Sequence, residues 1–232
     1  MTDAMVPITY IFHLAQGRRE TITLTFQKST FLVYDGGAAA TEPWVQLVFH
    51  QCRHCPLDPM IMKNCPFAQA LSPFLKRFDE FYSYEKSIIE VITPQRRFLA
   101  DGPLQQGMAS LVGLIGATSG CPSLAFFRPM ARFHLPFASE EETLCRVFSF
   151  HLLGQYLHQG GTGSVPVSVA ALRRHYEAAG LVNQGMAERI RSAFQKDAVV
   201  NALVILDTFA QAAPCVIEEK LEELRYLFNN ER

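Results

Sequence analysis

The chain has 232 residues, 49% of them hydrophobic and 19% charged, with 21 basic against 22 acidic side chains and a formal net charge of -1. That balance excludes a disordered, collagen-like or coiled-coil chain and leaves no overall field to attract nucleic acid or an anionic membrane. A chain of this size buries roughly 70% of its unfolded surface, so its core needs neither disulfide nor metal in order to form.

Two runs, residues 9–14 and 20–26, flank Gln16-Gly17, and the second alternates Ile22, Leu24 and Phe26 with threonines. Two such runs on either side of a glycine-bearing turn, the second with period-two alternation, predict a β-hairpin. Residues 31–34 and 44–50 read as two more strands around a Gly- and Ala-rich loop at 35–41, and the β-branched run 87–93 as a fifth. A cysteine-bearing loop at 51–66 and a helix over 67–81 lie between the fourth and fifth strands.

The second half is helical in pattern. An apolar helix over 105–119 stops at Gly120, and Ser139 with Glu142 forms a capping box that opens a helix reaching about His158. Residues 169–179 and 183–213 continue the pattern to Pro214, and residues 218–228 close the chain as an amphipathic helix. The expected class is α+β: an N-terminal antiparallel β-meander (about 1–98), then a helical bundle (about 99–232) packed on it. Residues 160–166 are the best candidate for a flexible connection, yet they are too few to divide the chain, so one domain over 1–232 is expected. No secretory signal is evident, and the longest apolar stretch, 198–206, falls short of the ~20 residues that cross a bilayer. A cytoplasmic protein with no membrane and no nucleic-acid partner is the expectation.

The six cysteines are unevenly placed. Cys52 and Cys55 stand in His50-Gln51-Cys52-Arg53-His54-Cys55-Pro56, Cys65 in Asn64-Cys65-Pro66, and Cys121 in Gly120-Cys121-Pro122. Two residues between Cys52 and Cys55 let both thiolates face one ion, a loop can bring Cys65 alongside, and Cys121 can complete a tetrahedron. Three of the four precede proline, which limits the shapes their loops adopt. A reducing compartment makes disulfides poor competitors, so the readings are a metal site, buried unligated thiols, or a redox pair at Cys52 and Cys55. Thiolate-rich sets favour zinc, or alternatively an iron-sulfur cluster. His54, His50 and His134 are possible substitutes for a missing thiolate. Cys145 and Cys215 read as packing residues.

A second candidate lies in Arg128-Pro129-Met130-Ala131-Arg132-Phe133-His134-Leu135-Pro136-Phe137, where cations sit among large hydrophobes. Asp197 and Asn201 are one helical turn apart on an apolar face, and a buried carboxylate needs a partner. An ion pair from Arg128 or Arg132 to Asp197 is the plain reading; a bundle pocket of Arg128, Arg132, His134, Asp197 and Asn201, binding a small molecule or catalysing a reaction, is the functional one. Nucleotide-binding glycine loops, zinc-protease and serine-hydrolase motifs are absent, and the chain leans towards a non-enzyme. Leu221, Leu224 and Leu227 could pair two copies into a homodimer through the C-terminal helix.

The segments around Cys52 and Cys55, Ser119 to Pro122, and Arg132 to Phe137 resemble an uncharacterised bacterial family, a domain of unknown function that spans nearly the whole chain. That resemblance implies a bacterial cytosolic origin and a single domain of this length; it implies no activity, ligand or catalytic residue.

Overall fold

The computed structural model describes residues 4–34, 41–159, 169–194 and 197–228. The loop expected at 35–41 and the connection expected at 160–166 lie outside these residues, apart from Thr41.

Strands β1 (Met5–His13) and β2 (Arg19–Gln27) form the expected hairpin, paired from Met5 opposite Gln27 to His13 opposite Arg19. Alternation buries Ile22, Leu24 and Phe26 on one face of β2, beside Ile8, Tyr10 and Phe12 of β1. Strands β3 (Lys86–Ile92) and β4 (Arg97–Pro103) form a second antiparallel hairpin, and β3 pairs with β1, giving the order β2-β1-β3-β4. The antiparallel sheet is as expected, with its two hairpins joined through their first strands rather than laid down one after another.

Strand β4 has no strand signature. Asp101, Gly102 and Pro103 are turn formers, and Pro103 is tolerated because it ends an edge strand. Conversely, the strands expected at 31–34 and 44–50 are not strands. They make isolated bridges, Phe26 with Val33 and Gln46 with Asn64, while Pro43–Val45 is a turn of 3-10 helix. The reason is visible at 44–47, where backbone carbonyls that a sheet partner would take up are claimed by the side chain of Arg189.

Helix α1 (Pro66–Leu75) is extended by a 3-10 turn, Lys76–Phe78. Pro73 inside it cannot donate to the Gln69 carbonyl, and the Ser72 hydroxyl donates there instead at 3.0 Å. Helix α2 (Leu104–Thr118) packs on the sheet and against α1 and is followed by a 3-10 segment, Pro122–Phe127, and the short α3 (Arg128–Arg132). Helix α4 (Glu140–His158) opens on the expected capping box: the Glu142 N–H donates to the Ser139 hydroxyl at 3.1 Å, and the Ser139 N–H donates to the Glu142 carboxylate at 2.8 Å.

The last two helices depart from expectation. Helix α5 (Ala170–Ala193) runs unbroken past Gly180, and α6 (Ala198–Glu223) runs through Pro214. Ala210, Ala213 and Ile217 of α6 are all buried, and holding that apolar face against the bundle outweighs the hydrogen bond lost at the proline. The chain breaks instead at Phe194, whose extended backbone turns its ring against Trp44 at 5.5 Å. Among the described residues α6 alone is long and apolar enough by length and composition to cross a membrane. It packs along α5 and α2 and carries Asp207 within its length.

Candidate metal centre

The elements gather the four singled-out cysteines from three parts of the chain. Cys65 is the residue before α1 and Cys121 the residue before the 3-10 segment after α2, each with proline at the first helical position. Packing of α1 on the end of α2 therefore brings Cys65 and Cys121 together, with left-handed Gly120 (φ 89°) passing Pro66 closely enough that an added Cβ would touch its ring at 4.0 Å. The Cys52-Cys55 turn is closed by a hydrogen bond from the Cys55 N–H to the Cys52 carbonyl at 2.9 Å. Its Cys52 sulfur reaches into a notch on α5, where a Cβ on Gly185 would lie 2.9 Å from it.

Cys52 lies within electrostatic range of Cys65 and Cys55, and Cys121 within range of Cys65 and Cys52. Burial pushes the Cys52 thiol up to about 11, with its neighbours adding to the effect and Arg189 opposing it. Burial likewise pushes Cys121 up to about 12, against the pull of the Ser123 and Leu124 N–H groups aimed at its sulfur. Cys52 and Cys121, raised in this way, thus sit in one neighbourhood with Cys55 and Cys65. Among the described residues no three His, Cys, Asp or Glu side chains draw together tightly enough to form a metal-binding group.

Arg189 was not singled out by the sequence. It is 1% exposed on the inner face of α5, donating to the carbonyls of Trp44 (2.8 Å), Gln46 (2.7 Å) and Leu47 (3.0 Å), and no carboxylate bridges it among the described residues. A buried guanidinium without a counter-ion favours negative charge nearby, and Cys52 lies within its electrostatic range. Its only sequence signal is a cation on the apolar stripe shared by Met186 and Ile190.

Of the possible substitute ligands, His54 stands beside Cys55, and both of its ring nitrogens are shielded from solvent without a hydrogen-bond partner. His50 is engaged with Glu188 and Ser192, each at 3.4 Å. His134 lies elsewhere: its Nε2 is 2.6 Å from the Tyr10 hydroxyl, and its ring lines a cavity in the bundle. Cys145 is half-buried as a packing residue should be, whereas Cys215 is exposed.

The second expected constellation does not assemble. Asp197 accepts from the Ser83 N–H (3.0 Å), the Ser83 hydroxyl (3.2 Å) and the Asn201 amide (2.9 Å), so its partner is the loop before β3 and not an arginine. The Arg132 guanidinium lies over Phe31 at 5.2 Å, and the Arg128 Nε is buried with no partner. Only His134 of the set faces the bundle cavity. Leu224 at the end of α6 is buried in the chain's own fold while Leu227 is exposed, so the leucine stripe expected at a dimer contact is split between the two.

The chain matches the model of a domain of unknown function, DUF6901, over residues 8–229. It belongs to the DUF6901 family. No curated protein and no solved structure matches it. The family assignment agrees with the resemblance seen in the cysteine and Arg132–Phe137 segments and brings no activity with it.

Proposed function

We propose that this DUF6901 protein binds a metal ion through Cys52, Cys55, Cys65 and Cys121, zinc being the ion best suited to the set. The observation that supports the reading is that thiols from three separate segments come within electrostatic range of one another, beside a buried arginine with no carboxylate partner among the described residues. A zinc ion with four thiolates is a dianion, and Arg189, the positive end of α1 at Cys65 and the N–H groups aimed at Cys121 supply the charge it needs. The His54 ring, with no other partner, is the substitute should one thiolate stay out.

With all four ligands supplied by the protein, the ion has no open position for water, so its role is to clamp the 51–66 loop and the segment after α2 onto α1 and α5. No catalytic step is assigned to it. Binding displaces the thiol protons, which makes loading steeply dependent on pH.

Elemental analysis of protein purified without chelator tests this. About one zinc per chain is expected, with C65S and C121S each emptying the site and C215S leaving it full. Less than about 0.2 metal per chain after growth and reconstitution with zinc overturns the reading. A brown protein with thiolate-to-iron absorption replaces zinc by an iron-sulfur cluster on the same cysteines.

A further inference from the structure

Helices α2, α4, α5 and α6 and the 122–138 segment line a pocket of about 430 Å³ that opens to solvent. That volume falls within the range of small-molecule sites. Its walls are largely apolar, with Leu114, Phe127, Leu206 and Phe209 among them.

Two polar side chains on those walls lack suitable partners. The Tyr176 hydroxyl is buried with no hydrogen-bond partner among the described residues, and burial raises the phenol's pKa, so it stays a neutral donor. Arg146 spends one nitrogen on the carbonyls of Met130 (3.1 Å) and Phe133 (2.7 Å). The Glu142 carboxylate, within electrostatic range of it, is turned to the Ser139 N–H, and no ion pair to Arg146 exists among the described residues. Beside it His134 is uncharged, held down to about 3 by burial and by Arg146 itself. The site therefore carries one cation next to neutral hydrogen-bonding groups, Ser110 and His134, with the exposed carboxylate of Glu140 at its edge. One positive charge beside an acidic edge suits a singly charged head and disfavours a phosphate dianion.

We propose that this cavity binds a small amphipathic carboxylate, its head on Arg146 and its apolar body between α2, α5 and α6. Nothing in this depends on the cysteines.

Isothermal titration calorimetry of the full chain with decanoate, decanol and decyltrimethylammonium tests it, each kept below its aggregation limit. Decanoate should bind at least tenfold more tightly than either of the others. R146Q should erase that preference. A179L, which fills the cavity from α5 without touching Arg146, should abolish binding while thermal unfolding stays cooperative, and it stands in should R146Q not fold. Y176F should raise the unfolding temperature of the ligand-free chain, because the unpartnered hydroxyl is gone. Equal binding of decanoate and decanol, or undiminished binding by A179L, overturns the proposal.

Discussion

Replacing Arg189 by methionine tests how the 42–47 segment is held. The substitution keeps the length and apolar stem of the side chain and deletes three donated hydrogen bonds, to the carbonyls of Trp44, Gln46 and Leu47. Hydrogen bonds from a charged donor contribute about 1.5–3 kcal/mol each, so the gross loss is roughly 4–9 kcal/mol. Against it stands the relief of no longer burying a guanidinium, several kcal/mol, which leaves a net cost of about 3 kcal/mol. With a urea dependence of roughly 3 kcal/mol/M, the midpoint should fall by about 1 M. The only tryptophan is Trp44 itself, buried against Phe194, so its fluorescence reports the segment while far-UV circular dichroism reports the helices. In Arg189→Met the fluorescence transition should come at lower urea than the dichroism transition, whereas in the parent chain the two should coincide. A loss under about 1 kcal/mol with coincident transitions would show that the carbonyls are satisfied without Arg189 and would refute this account.

Gly185→Ala puts a methyl group 2.9 Å from the Cys52 sulfur; it should cost about 1–3 kcal/mol by chemical denaturation and lower zinc content in parallel, and a fully loaded, undisturbed variant would contradict the notch. Asp197→Ala removes the acceptor of three hydrogen bonds, two that tie the start of α6 to Ser83 and one from Asn201 within the helix, and should destabilise by about 2–4 kcal/mol, with Asp197→Asn recovering part of the loss. His134 remains neutral in the fold to about pH 3 but takes up a proton in the unfolded chain near 6.5, so the unfolded state binds more protons between those values and stability falls as pH drops through that window. By pH 4.5 the loss should reach about 2–3 kcal/mol relative to pH 7, and His134→Leu should flatten this slope; an unchanged slope would refute the assignment.

Local chemistry was enough for much of the architecture. The alternation of Ile22, Leu24 and Phe26 placed β2, and the Ser139–Glu142 box placed the start of α4, because each depends on groups only a few residues apart. The same locality explains the failures. Residues 44–50 have strand composition, but the partner for their carbonyls is Arg189, some 140 positions away. Pro214 marks a helix end by its own stereochemistry, and only the packing of Ala210, Ala213 and Ile217 overrules it.

The candidate site divides in the same way. Spacing and the Cys-Pro pairs single out Cys52, Cys55, Cys65 and Cys121, because thiol type and loop shape are properties of short segments. That Cys65 comes within electrostatic range of Cys121 follows from α1 packing on α2, and that Arg189 comes within range of Cys52 follows from the face α5 presents. The sequence alone determined the α+β class, the hairpin and the capped helix. Tertiary packing decided that Asp197 belongs to Ser83, that His134 and Arg146 line the bundle cavity, and that Arg189 is buried. Residue type sets which groups need partners, and only the folded chain, bringing distant groups to within a few ångströms of one another, sets which partners they find.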